Sequence, residues 1–394
     1  MKEYIFIHGK NATLSQEELR CVYEGFIIFQ SQAFSIVRTD EVIDRRHMDR
    51  LGGTIKICKI FEEDPVDRIE SSAKTEKIEF AVSQYGVQGQ LSKPLMHLKK
   101  ELRNRGRNAR FLNKNFENIS SGQLNQSKIL EKGIDLVKCY YKIPGEEKGK
   151  EVWGQTLFFQ DIDSYSIRDY EKPKRDMKVG MLPPKLAQMM INFAKPEKDC
   201  QVYDPFCGLG TILLEAALQG HPLAGSDING RMVEATKENL EWMRRKFQVP
   251  SSKLEENTLS LGTFHSELIF LHDATKPFKD LKLREDLVVV TEGYLGPALL
   301  RFPNTEEQKK IFESLHSINY KFFSEVSRII RSGKRVVFCF PFFRSRKEKV
   351  FYPSHFINEY AAGGLKILTP LRSLLYEREN QVVGREIVIF QKPS

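Results

Sequence analysis

No stretch of this 394-residue chain approaches the roughly 18 consecutive apolar residues that a membrane-spanning helix needs. The opening, Met1-Lys2-Glu3-Tyr4-Ile5-Phe6-Ile7-His8-Gly9, holds only a short apolar run that ends in a turn signal. It reads as a first strand rather than a secretory leader, so a cytoplasmic address with no membrane contact is expected. Cysteine is sparse, and Cys21, Cys58, Cys139, Cys200, Cys207 and Cys339 form no Cys-x-x-Cys pair. That spacing favours neither a disulfide framework nor a zinc site, so core thiols and no metal are expected. Internal repeats and low-complexity tracts are also missing, which excludes a repeat array.

The length suggests two or three domains, and the formal charge of +9 leans towards a polyanionic partner. From about Gln201 onwards, short β-branched runs alternate with longer helical stretches, the pattern of an α/β fold with a parallel sheet. The expected strands are Gln201–Asp204, Leu223–Ile228, Leu268–His272, Asp286–Val290, Lys334–Phe340, Leu365–Pro370 and Glu386–Gln391, seven in all. The fourth and fifth flank a long helical segment, about Thr305 to Arg331. The N-terminal half instead mixes strand-like pieces (Tyr4–His8, Phe34–Val37, Thr54–Phe61, Lys77–Val82, Leu136–Ile143, Gly154–Phe159) with helices at Ser15–Tyr23 and Lys93–Arg105. This is an α+β arrangement, read as two small units meeting near Asp67–Lys77. Between the halves, Asp163–Pro184 is rich in charge and proline and reads as a linker feeding a helix that starts at Pro183-Pro184.

The segment Val202-Tyr203-Asp204-Pro205-Phe206-Cys207-Gly208-Leu209-Gly210-Thr211 carries the most information. A buried strand ends in a glycine turn and enters the helix Ile212–Gln219, so the backbone can approach a ligand at the carboxyl edge of the sheet. A dinucleotide site needs a third glycine three positions after the second, and position 213 is Leu. A pyrophosphate gains nothing from a carboxylate just ahead of the glycines, where Asp204 stands. S-adenosylmethionine has no phosphate but carries a cationic amino group and a sulfonium, which that carboxylate favours. Asp227 closes the second strand, where it can accept from ribose hydroxyls, and Asp273 closes the third, where it can accept from the adenine amino group. Singly, each acid reads as a cap or solvated turn; three at successive strand ends read as a cofactor site.

Asp204–Thr211, Asp227 and Asp273 resemble the cofactor motifs of Rossmann-type methyltransferases. The run Arg175-Asp176-Met177-Lys178-Val179-Gly180-Met181-Leu182-Pro183-Pro184-Lys185-Leu186-Ala187 resembles the segment ahead of the first strand in the THUMP-domain tRNA guanine-N2 methyltransferases. Met1–Leu19 is similar to that family's ferredoxin-like opening. Ser121–Leu124, Lys132–Val137, Gly154–Thr156 and Gln160–Ile162 are similar to its THUMP part. The resemblance implies a ferredoxin-like domain (1–70), a THUMP RNA-binding domain (71–165), a linker (166–184) and a Rossmann-like methyltransferase domain (185–394). It implies S-adenosylmethionine as cofactor, contacted by Met181, Leu182, Pro183, Asp204, Phe206, Gly208, Gly210, Thr211, Asp227, Ile228, Asp273 and Ala274. It further implies methylation of the exocyclic amine of a guanosine in tRNA or another structured RNA.

One motif departs from the family. Amino-methylating members carry Asp/Asn-Pro-Pro-Tyr/Phe at the end of the fourth strand, because an exocyclic amine is a poor nucleophile. Its hydrogens need acceptors that hold it in line with the methyl group, while the aromatic ring stacks on the base. This chain reads Thr291-Glu292-Gly293-Tyr294. Tyr294 keeps the stacking role, Thr291 stands where the acid would be, and Glu292 is a candidate acceptor or base. Three outcomes follow: an active enzyme with a variant acceptor, methylation of a different atom, or a protein that binds without reacting.

Lys93 to Lys114 holds eight basic residues and one acid, Glu101. Lys93, Lys99, Lys100, Arg103, Arg105, Arg107 and Arg110 are the candidate RNA contacts, with Lys99, Arg103, Arg107 and Arg110 on one face of a helix that Gly106 would end. Arg344, Arg346, Lys347 and Lys349 would extend the basic track. Other readings are an amino-methyltransferase acting on ribosomal RNA or DNA, and an RNA-binding protein with a relict cofactor fold.

Overall fold

The structure is a computed structural model that describes residues 1–73, 76–87, 89–143, 145–175, 181–247 and 268–394. Residues 176–180 of the proline-bearing run therefore lie outside the described residues. The chain divides into two compact units, Met1–Ser164 and Tyr165–Ser394.

The first unit is built on eight strands: β1 (Lys2–His8), β2 (Ile27–Gln30), β3 (Phe34–Thr39), β4 (Thr54–Phe61), β5 (Lys77–Tyr85), β6 (Asn108–Phe111), β7 (Ile134–Tyr141) and β8 (Lys150–Phe159). They form one sheet in the order β2-β3-β1-β4-β8-β7-β5-β6, parallel only where β5 pairs with β7 and β6. The run Tyr4–Ile7 is apolar at every position because β1 is covered on both faces. Tyr4 and Phe6 pack with Leu19 and Met48, while Ile5 and Ile7 pack with Cys58 and Val137. Helix Ser92–Asn104 buries Leu95, Leu98 and Leu102 against Phe80, Val82 and Leu136, and that apolar spacing leaves its lysines on the outer face. Two of the strands, β2 and β6, were not expected from the sequence; each is only four residues long and sits at a sheet edge.

A charge pair lies inside this sheet. Lys56 on β4 donates to Asp135 on β7 at 2.9 Å, and Thr156 on β8 donates to the same carboxylate oxygen at 2.6 Å. Both charged side chains are fully buried. Lys56→Met would strand the Asp135 carboxylate without its cation, and a loss of about 3–5 kcal/mol is expected in chemical denaturation. A loss below about 1 kcal/mol would mean that the pair carries little of the unit's stability.

The second unit begins within helix Ile162–Tyr170 and continues through helix Pro184–Ala194, which starts at the expected proline pair. Its strands are β9 (Gln201–Asp204), β10 (Leu223–Asp227), β11 (Ile269–Leu271), β12 (Leu287–Thr291), β13 (Arg335–Arg344), β14 (Lys349–Phe351), β15 (Lys366–Ile367), β16 (Leu375–Tyr376) and β17 (Val383–Gln391). The seven expected strands form the path β11-β10-β9-β12-β13-β17-β15, and the short β14 and β16 pair beside it. The first five are parallel and β17 is antiparallel to β13. On one face, helix Thr305–Ile329 packs Phe312, Phe322, Phe323 and Val326 against Phe338 and Phe340; it starts from an Asn304–Glu307 capping box. Leu213, Leu214 and Ala217 of helix Thr211–Gln219 cluster with Val233, Leu240 and Met243 of helix Gly230–Phe247 in a separate core. Among the described residues, no helix is long and apolar enough to cross a membrane. Nor does any group of three or more His, Cys, Asp or Glu side chains among them stand ready to hold a metal ion.

Candidate active site

Strand β9 lies between β10 and β12, so the chain leaves it towards opposite sides of the sheet. Such a switch point opens a crevice at the carboxyl ends of the strands. Asp204 is the last residue of β9 and stands at that opening. Its side chain is only 2% exposed, and its Oδ1 accepts from the Thr291 hydroxyl at 2.7 Å and from the Phe206 amide at 3.1 Å. Burial pushes the carboxyl from its ordinary 3.8 up to about 7, against these two hydrogen bonds, and the charges of Asp227 and Glu292 add to the rise.

The glycine turn that follows is pinned from several sides. Gly210 has φ +79°, and an added Cβ would meet the Thr236 methyl at 2.9 Å, so this position needs glycine on both counts. Thr236 donates to the Gly208 carbonyl at 2.7 Å, and Asp227 accepts from the Gly208 amide at 3.0 Å. Asn239 donates to both Leu209 and Lys174, tying the turn to the segment ahead of helix Pro184–Ala194. Lys172, 1% exposed, donates to the Thr211 hydroxyl at 3.0 Å, and burial lowers the pKa of its ammonium.

A cleft runs over this turn. Of the residues expected to contact a cofactor, Met181, Leu182, Asp204, Phe206, Gly208 and Thr211 line it, and Glu292 joins them from the end of β12. Cys207, Leu209, Ile212 and Met232 complete the wall; for Met232 the sequence offers no local signal beyond its closeness to Asp227. Pro183 and Gly210, also expected contacts, are buried and do not line it. Asp227 and Asp273 stand outside it, near the ends of β10 and β11, the next two strands along the same edge. Asp227 reaches the cleft through Gly208, whereas Asp273 accepts from the amide and hydroxyl of Thr275. Ile228 is 71% exposed beyond Asp227, and Ala274 is buried in the core cluster.

The variant tetrad separates into distinct environments. Thr291 is fully buried and spends its hydroxyl on Asp204. Glu292 is partly exposed to the cleft, and its Oε1 accepts from Nε of Arg385 on β17, itself only 4% exposed. Gly293 adopts φ +67°, and an added Cβ would collide with the Phe338 ring. Proline is held near −65°, so a second tetrad proline cannot trace this turn. Tyr294 is 45% exposed. The Arg385 partner escaped sequence reasoning; its only signal was a charged pair, Arg385-Glu386, inside an apolar strand.

In the first unit the expected basic face is divided. Helix Ser92–Asn104 exposes Lys93, Lys99, Lys100 and Arg103, none of them in an ion pair among the described residues. The Lys99 ammonium lies 5.6 Å from the centre of the Phe111 ring. Arg105 and Arg107 follow the helix and pair with Asp67 and Glu70, and Arg110 sits on β6 and pairs with Glu79. A single helical face shared by Lys99, Arg103, Arg107 and Arg110 is thus corrected, because the helix ends at Asn104. Among the later basic residues, Lys349 pairs with Glu377 at 2.8 Å.

The switch-point cleft, the pinned glycine turn and the strand-end acids define a Rossmann-like methyltransferase domain. The family described as "RMKL-like, methyltransferase domain" matches residues 172–267. A probable tRNA (guanine(10)-N2)-dimethyltransferase of Methanothermococcus thermolithotrophicus is 42% identical over 134 residues, 34% of this chain and 72% of that protein. The chain belongs to the tRNA (guanine-N2)-methyltransferase family. The tRNA (guanine(10)-N2)-dimethyltransferase of Methanothermobacter thermautotrophicus is 48% identical over 62 residues, 16% of this chain and 18% of that protein, so this match spans under a fifth of the relative's length. The crystal structure of TrmN from Thermus thermophilus matches with a TM-score of 0.50 at 15% identity, covering 100% of both chains, and shows the shared fold.

Asp204 gives the cleft a sign that can be measured. Its folded pKa lies above the unfolded one, so its contribution is fully present at low pH and turns unfavourable as pH rises from about 4 to about 7. Asp204→Asn, which still accepts from Thr291, should therefore gain on the wild type across that window by about 4 kcal/mol in denaturant titrations, with a plateau above pH 7. A stability difference independent of pH would contradict the buried placement of this acid.

Proposed function

We propose that this chain methylates the exocyclic amine of a guanosine in tRNA with S-adenosylmethionine as donor. The observation that carries the reading is Asp204, a buried carboxylate at the switch point of a cleft floored by a glycine turn. The donor set suits the cofactor: a low-dielectric acid faces the cleft, and its free energy of ionisation falls when a cationic group binds. Asp227 would accept from the ribose and Asp273 from the adenine amine, with Ile228 against the nucleoside; Met181, Leu182 and Phe206 would close over the rest. When bound, the cofactor would supply a sulfonium-activated methyl group, whose S–C bonding pair would stay on sulfur while the amine nitrogen takes the methyl and gives up one proton. Thr291 holds Asp204 in place, Glu292 accepts from the amine, and Tyr294 stacks on the base.

The first unit supplies RNA binding in the same proposal, with a ferredoxin-like opening to about residue 70 and a THUMP-type part beyond it. Exposed Lys93, Lys99, Lys100 and Arg103 favour phosphate contacts that position a folded RNA without reading its sequence. A cytoplasmic setting belongs to this reading. The replaced tetrad favours one alternative, a protein that binds RNA and cofactor without transfer.

Incubation of the full chain with tRNA and labelled S-adenosylmethionine, followed by nucleoside mass spectrometry, should yield N2-methylated guanosine. Label on ribosomal RNA alone would redirect the substrate, and cofactor binding with no label on either RNA would favour the non-transferring alternative. Lys99→Glu with Arg103→Glu should weaken tRNA binding and reduce the magnitude of its log–log salt slope by about 1.5. An unchanged slope would locate the RNA track elsewhere.

A further inference from the structure

The cleft presents two carboxylates whose surroundings differ sharply. Asp204 is buried among neutral partners, the Thr291 hydroxyl and the Phe206 amide. Glu292, at the end of the next strand, meets the guanidinium of Arg385, which rises from β17 beyond β13 and is nearly fully buried. The turn that carries Glu292 is not the family's proline turn: Gly293 at φ +67° and the Phe338 ring beneath it hold Glu292 at the cleft wall.

We propose that Arg385 is a positioning residue that orients Glu292 and favours its ionised form as the proton acceptor for the substrate amine. This rests on the methyltransferase reading above. A nitrogen that has just gained a methyl group on an aromatic amine is strongly acidic, so its acceptor need not be a strong base. It must be unprotonated when the bond forms. Two carboxylates sharing one cleft disfavour each other's charge. The guanidinium beside Glu292, permanently charged, offsets that repulsion. One Glu292 oxygen is occupied by Arg385, and the other is available to take the proton from the nitrogen and pass it to water. Among the described residues, the charged and titratable groups around the pair include Asp204 on β9, Cys339 on β13 and Tyr376 on β16. Cys339 is fully buried, and its thiol is pushed far above its ordinary range by burial, so it stays neutral throughout. Asp204, its carboxyl pushed up to about 7, itself titrates within the working range.

The test uses the full chain in three forms: wild type, Arg385→Gln, which keeps a hydrogen-bond donor but no charge, and Arg385→Lys. Carboxyl signals of 13C-glutamate-labelled protein, with Glu292 identified by its loss in Glu292→Gln, report ionisation without cofactor. The inflection of the Glu292 signal should move to higher pH in Arg385→Gln than in the wild type, and Arg385→Lys should leave it where the wild type has it. Single-turnover methyl transfer should follow: below the new inflection the Arg385→Gln rate should fall about tenfold per pH unit, while Arg385→Lys keeps the wild-type profile. Glu292→Gln should lower transfer by about 100-fold at every pH. An inflection that does not move in Arg385→Gln, with a pH profile parallel to the wild type, would overturn the proposal, because the guanidinium would then only brace the strand. An unaffected rate in Glu292→Gln would also overturn it while leaving the methyltransferase reading intact. Absence of any transfer by the wild type would remove both.

Discussion

A carboxylate placed at the end of a central parallel strand is costly unless its neighbours hold it. Most of the second unit can be understood as the means of holding Asp204. The hydroxyl of Thr291 reaches it from the adjacent strand β12, and the Phe206 amide caps it from the turn. The strand order puts these groups together: with β10 on one side and β12 on the other, β9 opens onto the crevice. Two hydrogen bonds do not restore the hydration that the acid loses, so it remains a weak acid until a cation arrives. This remaining cost falls when a positively charged group comes to lie beside Asp204.

The glycine turn is secured by groups that never enter the cleft. Asp227, Thr236 and Asn239 hold the backbone of residues 208 and 209, and Lys172 holds Thr211. Lys172 is one member of a wider buried polar layer in which Arg168 pairs with Glu215 at 2.8 Å. Placing charges there costs solvation, and their mutual pairing offsets it only in one geometry. The layer therefore favours one position of the turn over its alternatives, which suits a site whose function depends on where backbone amides point.

Much of this was legible in the sequence. The seven main strands of the second unit, the glycine turn and the strand-end acids followed from hydrophobic periodicity and from turn chemistry, which are local signals. The misses were non-local or short. Strands β2 and β6 are four residues long and are defined by their partners more than by their own pattern. The seven cations read as RNA contacts, six of them clustered at Lys99–Arg110, formed one motif on paper, yet Glu70 and Glu79, distant in the chain, claim three of them. Thr291 read as a residue facing substrate because it occupies the acid's place in the tetrad, and only the packing reveals that its hydroxyl turns inward. Arg385 lies 93 residues from Glu292, so no spacing rule could join them.

In the variant tetrad the Thr291 hydroxyl donates to Asp204, while Glu292 is backed by the buried guanidinium of Arg385. Whether the cleft binds the nucleoside at all is the claim on which the rest depends. A crystal structure of the chain grown with S-adenosylhomocysteine tests it most directly. The account predicts the amino-acid end of the ligand beside Asp204 and the ribose hydroxyls within hydrogen-bond reach of Asp227. A ligand bound elsewhere, or a cleft left empty at saturating ligand, would contradict it.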